Sequence, residues 1–308
     1  MISEQKTDSN HWYAGLRLRF RQSGGETILA ENTHEGPLRV QRTFQEADGS
    51  RHVYILHPPG GYVAGDIIDI QLTSENSSHV VATSPGASKF YRCAPGRPPQ
   101  QQTISLIGRD QSLLEWLPAE TIFFRNANTR LLTNIQLSHS ASFIGWEICC
   151  LGRTASGESF DQGDLVQTLT VRCEDELLHR EHFSLSANDP VHTRPWGLGD
   201  QPVFGTLVAK LLIHEDPQTN PEGATNASRR TLYALEDDLQ RVVALLRTQF
   251  ESIDNAHNWS VTAKNRIILV RYLGNNSETC KAGFSIARQQ LLKHMKNIEP
   301  VAPRIWAT

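Results

Sequence analysis

"DIQLT", residues 69–73, sets Ile70 and Leu72 on one side of an extended chain and Asp69, Gln71 and Thr73 on the other. "TNIQLS", residues 133–138, repeats the pattern, with Ile135 and Leu137 against Asn134 and Gln136. A side-chain period of two is the mark of a β-strand with one buried face. The same period runs from Trp12 to about Ile213, through "GLRLRF", "RHVYIL", "SHVVAT", "TISLI", "SFIGWEICCL", "LVQTLTVRC" and "ELLHREHFSLS". Turn residues separate these runs at short intervals. That spacing predicts a mainly β fold, a β-sandwich or a β-helical multi-strand architecture, and not a βαβ fold.

Two stretches depart from the period. "HEDPQTNPEGATNASRR", 214–230, carries two prolines and no periodicity, which predicts an exposed loop. "TLYALEDDLQRVVALLRTQF", 231–250, places Leu232, Leu235, Leu239, Val242, Val243 and Leu246 at helical spacing. Its other face bears Glu236, Asp237, Gln240, Arg241 and Arg247, a surface open to partners. "WSVTAKNRIILVRYL" reads as two strands about a turn near Lys264–Asn265. A second helix is expected over about Ser277–Lys296, with Asn275 and Glu278 as a capping box. The chain therefore divides into a flexible tail (1–12) and one domain (13–308). That domain is β-rich over 13–213, with the loop at 214–230 and an α/β portion at 231–308.

The 308 residues include 30 basic and 33 acidic side chains, a formal charge of −3. Such balance gives no footprint for nucleic acid or an anionic membrane. No run approaches the roughly 20 apolar residues of a membrane span. The polar start "MISEQKTDSNHW" lacks a signal-peptide core. With five cysteines, no CxxC and no export signal, reduced thiols and a cytoplasmic location are expected. Adjacent Cys149 and Cys150 point to opposite faces of a strand and read as small buried hydrophobes.

The glycine-rich corner "HPPGGYVAGDIIDI", 57–70, does not fit GxGxxG, and no helix signal follows it. "SPGASKFYR" (84–92) and "GLGDQPVFG" (197–205) fail as phosphate loops in the same way. These glycines read as positions of positive φ or close strand packing. No GxSxG elbow or HExxH motif occurs, and the twelve histidines form no metal motif. His57 reads as a turn residue, and His179 and His182 as facing opposite sides of a strand. Three carboxylates are more informative. Asp66 ends the glycine corner. Glu147 lies in "FIGWEICC", apolar enough to be buried on both faces. Glu181 alternates with Leu177, Phe183 and Leu185. Buried carboxylates are costly unless paired, protonated or bound to a cation. A salt bridge to an arginine such as Arg153 or Arg180 is the plain alternative for each.

The strings "GPLRVQRTF" (36–44), "LHPPGGYVAGDIIDI" (56–70), "TSPGASKFYR" (83–92), "LLEWLPAETIFF" (113–124), "WEICCLGRTASGESF" (146–160), "GTLVAKLL" (205–212), "RYLG" (271–274) and "APRIWAT" (302–308), in that order, resemble the UreD family of urease accessory proteins, called UreH in some bacteria. The resemblance covers about residue 13 to the C-terminus. It implies a mainly β fold with two helices and a non-enzymatic role. Its implied partners are UreF, the GTPase UreG and the urease apoprotein, with GTP bound by UreG and nickel as the delivered cargo. No tightly bound cofactor is implied, and Ni²⁺ binding would be transient. On this reading Asp66, Glu147 and Glu181 line an interior path for nickel, with Ser88 adding a hydroxyl and Glu158 a further acid. A hydrolase with an unassembled triad and a static structural subunit of urease remain as alternatives. Trp306, in "APRIWAT", predicts a tail folded back on the β-domain, with Arg304 held by a carboxylate.

Overall fold

The computed structural model describes residues 12–186, 189–211, 224–253 and 256–307. Its strands begin with β1 (Tyr13–Ser23), β2 (Glu26–Glu35), β3 (Arg39–Val40), β4 (Phe44–Gln45), β5 (Arg51–Leu56), β6 (Ile67–Glu75), β7 (His79–Thr83), β8 (Ser88–Phe90) and β9 (Gln100–Gly108). They continue with β10 (Leu113–Trp116), β11 (Thr121–Phe123), β12 (Ala127–Leu137), β13 (Ser142–Leu151), β14 (Gly163–Cys173), β15 (Glu176–Ser186), β16 (Val203–Lys210), β17 (Trp259–Lys264) and β18 (Ile267–Gly274). The helices are α1 (Ala224–Glu251) and α2 (Ser277–Lys296).

Both expected architectures are present at once. From β6 to β14 the long strands alternate between two facing sheets. β6, β9, β12 and β14 lie parallel in a seven-stranded sheet, and β5, β7, β10 and β13 lie parallel in an eleven-stranded one. The chain thus winds as a β-coil whose two sides are the layers of a sandwich. Antiparallel β15 closes the first sheet beside β14, and β16, β18 and β17 extend the second beyond β13.

The apolar patterns follow the layers. In β12, Leu131, Ile135 and Leu137 are buried while Arg130 and Leu132 are exposed, because one face of its sheet meets water. The second sheet is covered on both faces. Phe143, Cys149 and Leu151 of β13 enter the core between the sheets, while Ile144, Trp146 and Ile148 enter the core beneath the helices. A strand so placed reads as a continuous apolar run. Cys149 and Cys150 do point to opposite sides, and all five cysteines are free.

The helix over 231–250 extends further at its start than its apolar stripe indicates. α1 opens at Ala224, inside the stretch expected to be a loop, while residues 212–223 lie outside the described ones. Its stripe of Leu239, Val242, Val243, Leu246 and Phe250 packs on the second sheet. Of the outward side chains, Arg247 is engaged: its Nε and Nη2 donate to the Val261 carbonyl at 3.0 and 2.8 Å. α2 matches its expected span, but the cap is Asn276, whose side chain accepts from Thr279 N–H at 2.9 Å. Asn297 ends it in the left-handed region, at φ 53°. The expected tail at 1–12 lies outside the described residues except for Trp12.

The C-terminal segment folds back as the sequence indicates. Arg304 pairs with Glu46 at 3.1 Å, Val301 N–H donates to Asp48 at 2.7 Å, and the Trp306 ring lies 5.8 Å from that of Trp146.

Candidate functional site

The two glycine-bearing corners meet. Tyr62 N–H donates to the Lys89 carbonyl at 2.7 Å, and Tyr91 N–H to the Tyr62 carbonyl at 3.0 Å. A Cβ on Gly61 would sit 2.5 Å from the Tyr91 ring and 2.8 Å from the Lys89 oxygen, so only glycine allows this approach. Gly60 and Gly65 take φ of 79° and 88°, as expected of turn glycines.

Together the corners form the rim of a cavity of about 310 Å³ between the sheets. Gly60, Pro85 and Gly86 at the rim are exposed, while Ile104, Trp116 and Leu131 deeper in are buried. His57, Tyr62 and Ser88 stand near the rim, and Thr133, Glu147, Cys149 and Gln167 line the inner end. Burial pushes the Tyr62 phenol up to about 12, against a hydrogen bond from Ser88. A second cavity, about 70 Å³, shares Glu147, Cys149 and Gln167 and continues to Glu181, Phe183 and Thr206.

Strand register explains why these groups converge. Across the first sheet Thr133 pairs with Leu169, and Leu169 with Glu181. Across the second, Glu147 pairs with Thr206, and Thr206 with Arg271. Two transverse rows therefore face one another, with Glu147 opposite the Thr133 end and Arg271 opposite Glu181. The Thr133 hydroxyl donates to Glu147 Oε1, and Gln167 Nε2 donates to Oε2 at 2.5 Å. Among the described residues Glu147 has no ion pair. Burial holds its carboxyl above the usual range, the two hydrogen bonds oppose this, and the Glu181 charge adds to it.

Glu181 is different. It contacts Arg271 Nε at 3.4 Å and His179 Nε2 at 3.6 Å. Burial pushes it up, but His179 and Arg271 outweigh burial and leave it below the usual range. Its side chain and that of Arg271 keep 34% and 39% exposure, so this end reaches solvent. The arginine partner is Arg271, not Arg153 or Arg180. Leu177 does not share the Glu181 face: a bulge at Val171/Arg172 leaves it exposed.

Asp66 lies behind Tyr62 and lines neither cavity. Its Oδ2 accepts from Val63 N–H at 2.8 Å, and burial raises its carboxyl despite that bond. Glu158 is apart from the others, paired with Arg153 at 2.6 Å and accepting from Arg125 N–H at 3.2 Å. Thr133 and Gln167 were not singled out in the sequence. Their signal was present: each is a polar residue on the apolar side of an alternating strand, Thr133 between Leu131 and Ile135, and Gln167 between Leu165 and Leu169.

Among the described residues no three His, Cys, Asp or Glu side chains gather as a metal cluster. No described helix is long and apolar enough to cross a membrane. These features mark a class of protein: a two-sheet β-coil backed by two helices, with adjoining, mainly apolar cavities that share one carboxylate. The family model of the UreD urease accessory protein matches residues 13–307. The chain is 36% identical to a urease accessory protein UreD of Alkalilimnicola ehrlichii over 297 residues, covering 96% of this chain and 92% of the relative. It is 35% identical to that of Klebsiella aerogenes over 299 residues, covering 96% and 97%. The chain belongs to the UreD urease accessory protein family.

Proposed function

We propose that this chain is a non-enzymatic accessory protein of urease maturation in the cytoplasm. It acts with UreF and the GTPase UreG on apo-urease, and Ni²⁺ passes through its interior. The observation that carries the reading is Glu147, a half-buried carboxylate whose donors among the described residues are neutral, on the wall between two cavities. Ni²⁺ accepts oxygen, water and imidazole ligands, and a path must bind it weakly enough to release it. Single acids in sequence meet that need. Ser88 stands near one end, Glu147 in the middle and Glu181 at the solvent-facing far end. Asp66 contributes its charge from behind Tyr62. GTP belongs to UreG in this reading, and no group is bound tightly by the chain itself.

The test separates assembly from flux. Variants Asp66→Ala, Glu147→Ala and Glu181→Ala, and the triple variant, are produced with urease, UreF and UreG. After activation with nickel, bicarbonate and GTP, complex formation, urease nickel content and activity are measured. At least one variant should assemble normally yet yield urease poor in nickel. Full loading by every folded variant would return these acids to structural roles. Retention of the chain in mature urease at fixed stoichiometry would make it a structural subunit instead.

A further inference from the structure

Gln167 projects from β14 across the gap between the sheets to Glu147 and Cys149 on β13. These three side chains form the wall common to the two cavities. We propose that Gln167 is the gate in that wall: its amide releases Glu147 and turns its carbonyl oxygen to a divalent cation crossing between the cavities. The proposal rests on the interior cation path above.

The geometry makes such a turn inexpensive. Nε2 donates to Glu147 Oε2 at 2.5 Å, and Oε1 accepts from Cys149 Sγ at 3.5 Å. Half a turn of the terminal torsion, which is broad and two-fold in glutamine, exchanges oxygen and nitrogen at almost equal volume. Sulfur accepts as well as donates. After the turn Nε2 donates to Cys149 Sγ, and Oε1 faces the place it left. A cation there meets one carboxylate oxygen and one amide oxygen, while Thr133 keeps its bond to the other carboxylate oxygen. The positive end of the amide dipole and the cation thus compete for the same carboxylate, and whichever is absent is replaced by the other. Gln167 is neutral, so it can ligate a passing ion without adding a second negative charge that would retain it. A carboxylate in its place would hold the ion.

Two near-isosteric variants test this, Gln167→Met and Gln167→Glu, with Glu147→Gln alongside. Each is purified, its melting measured, and its retention of Ni²⁺ alone followed by equilibrium dialysis. Each is also used in the urease activation assay. Gln167→Met should melt near the wild type but deliver roughly tenfold less nickel, the low end for losing a partner that orients a metal-binding group. Gln167→Glu should retain Ni²⁺ about tenfold more tightly in dialysis and also deliver less. If Gln167→Met does not fold, Gln167→Glu decides alone. Wild-type delivery by both variants overturns the gate, as does loss of delivery in Gln167→Met without tighter retention by Gln167→Glu. Normal loading with Glu147→Gln would sink the path itself. Impaired loading with Glu147→Gln but not with either Gln167 variant removes the gate and keeps the path.

Discussion

Glu115 on β10 and Glu147 on β13 stand on neighbouring parallel strands and point to opposite faces of one sheet. Glu115 looks toward α2 and has no exposed surface. Arg288 donates to it through Nε at 2.5 Å and Nη2 at 3.1 Å, and His79 Nε2 lies 2.7 Å away. Burial pushes its carboxyl up, but the Arg288 charge and the His79 and Arg288 hydrogen bonds prevail and hold it at about 2. Glu147 looks into the gap between the sheets, takes hydroxyl and amide donors among the described residues, and is raised. A paired buried acid is a structural tie. An unpaired one facing a cavity keeps free capacity for a cation, and evolution of a stable core alone does not require it.

The largest effect should come from breaking the tie. Glu115→Leu leaves the Arg288 guanidinium buried without its carboxylate and should destabilise by about 3–5 kcal/mol in denaturant titrations. Adding Arg288→Leu should recover much of the loss, since a buried pair replaced by apolar groups is often near neutral. The pH dependence has a definite sign. With the folded value lowered to about 2, the contribution of Glu115 is fully present above the unfolded carboxylate value of about 4.3 and is lost as pH falls through 2. The stability margin of the wild type over Glu115→Gln should therefore close across that window. A margin independent of pH there would break the distinction between the two acids.

Glu147→Gln should behave in the opposite way. Its folded value is raised, so ionisation penalises the native state at neutral pH, and the penalty fades as pH falls toward about 4.3. The variant should differ from wild type by no more than about 1 kcal/mol at neutral pH, the scale of one hydrogen bond. Any advantage it shows should shrink on acidification, while urease loading falls. A strong destabilisation would make Glu147 another tie. The smallest effect is expected from Glu158→Ala. Its pair with Arg153 is at the surface and lines neither cavity, so melting and nickel loading should both remain at wild-type levels. A loading defect would extend the path to that surface.

The residue pattern alone decides the class of fold, because alternation of side chains is a local property of an extended chain and survives any arrangement of sheets. It also determines α2, the hairpin about Asn265, and the cover on both faces of "FIGWEICC", whose apolar run is interrupted at Glu147 alone. The start of α1 was not legible, since residues 224–230 carry no apolar stripe to mark them as helical. The convergence at Glu147 belongs to tertiary structure. Thr133, Gln167 and Glu181 come from three strands of one sheet and Glu147 from the other, and only inter-strand register and the spacing of the layers bring them to the two adjoining cavities. The same holds for the partners that separate the acids. Arg288 is 173 residues from Glu115, and Arg271 is 90 from Glu181, distances at which no local pattern indicates which carboxylate will be paired and which left to face a cavity.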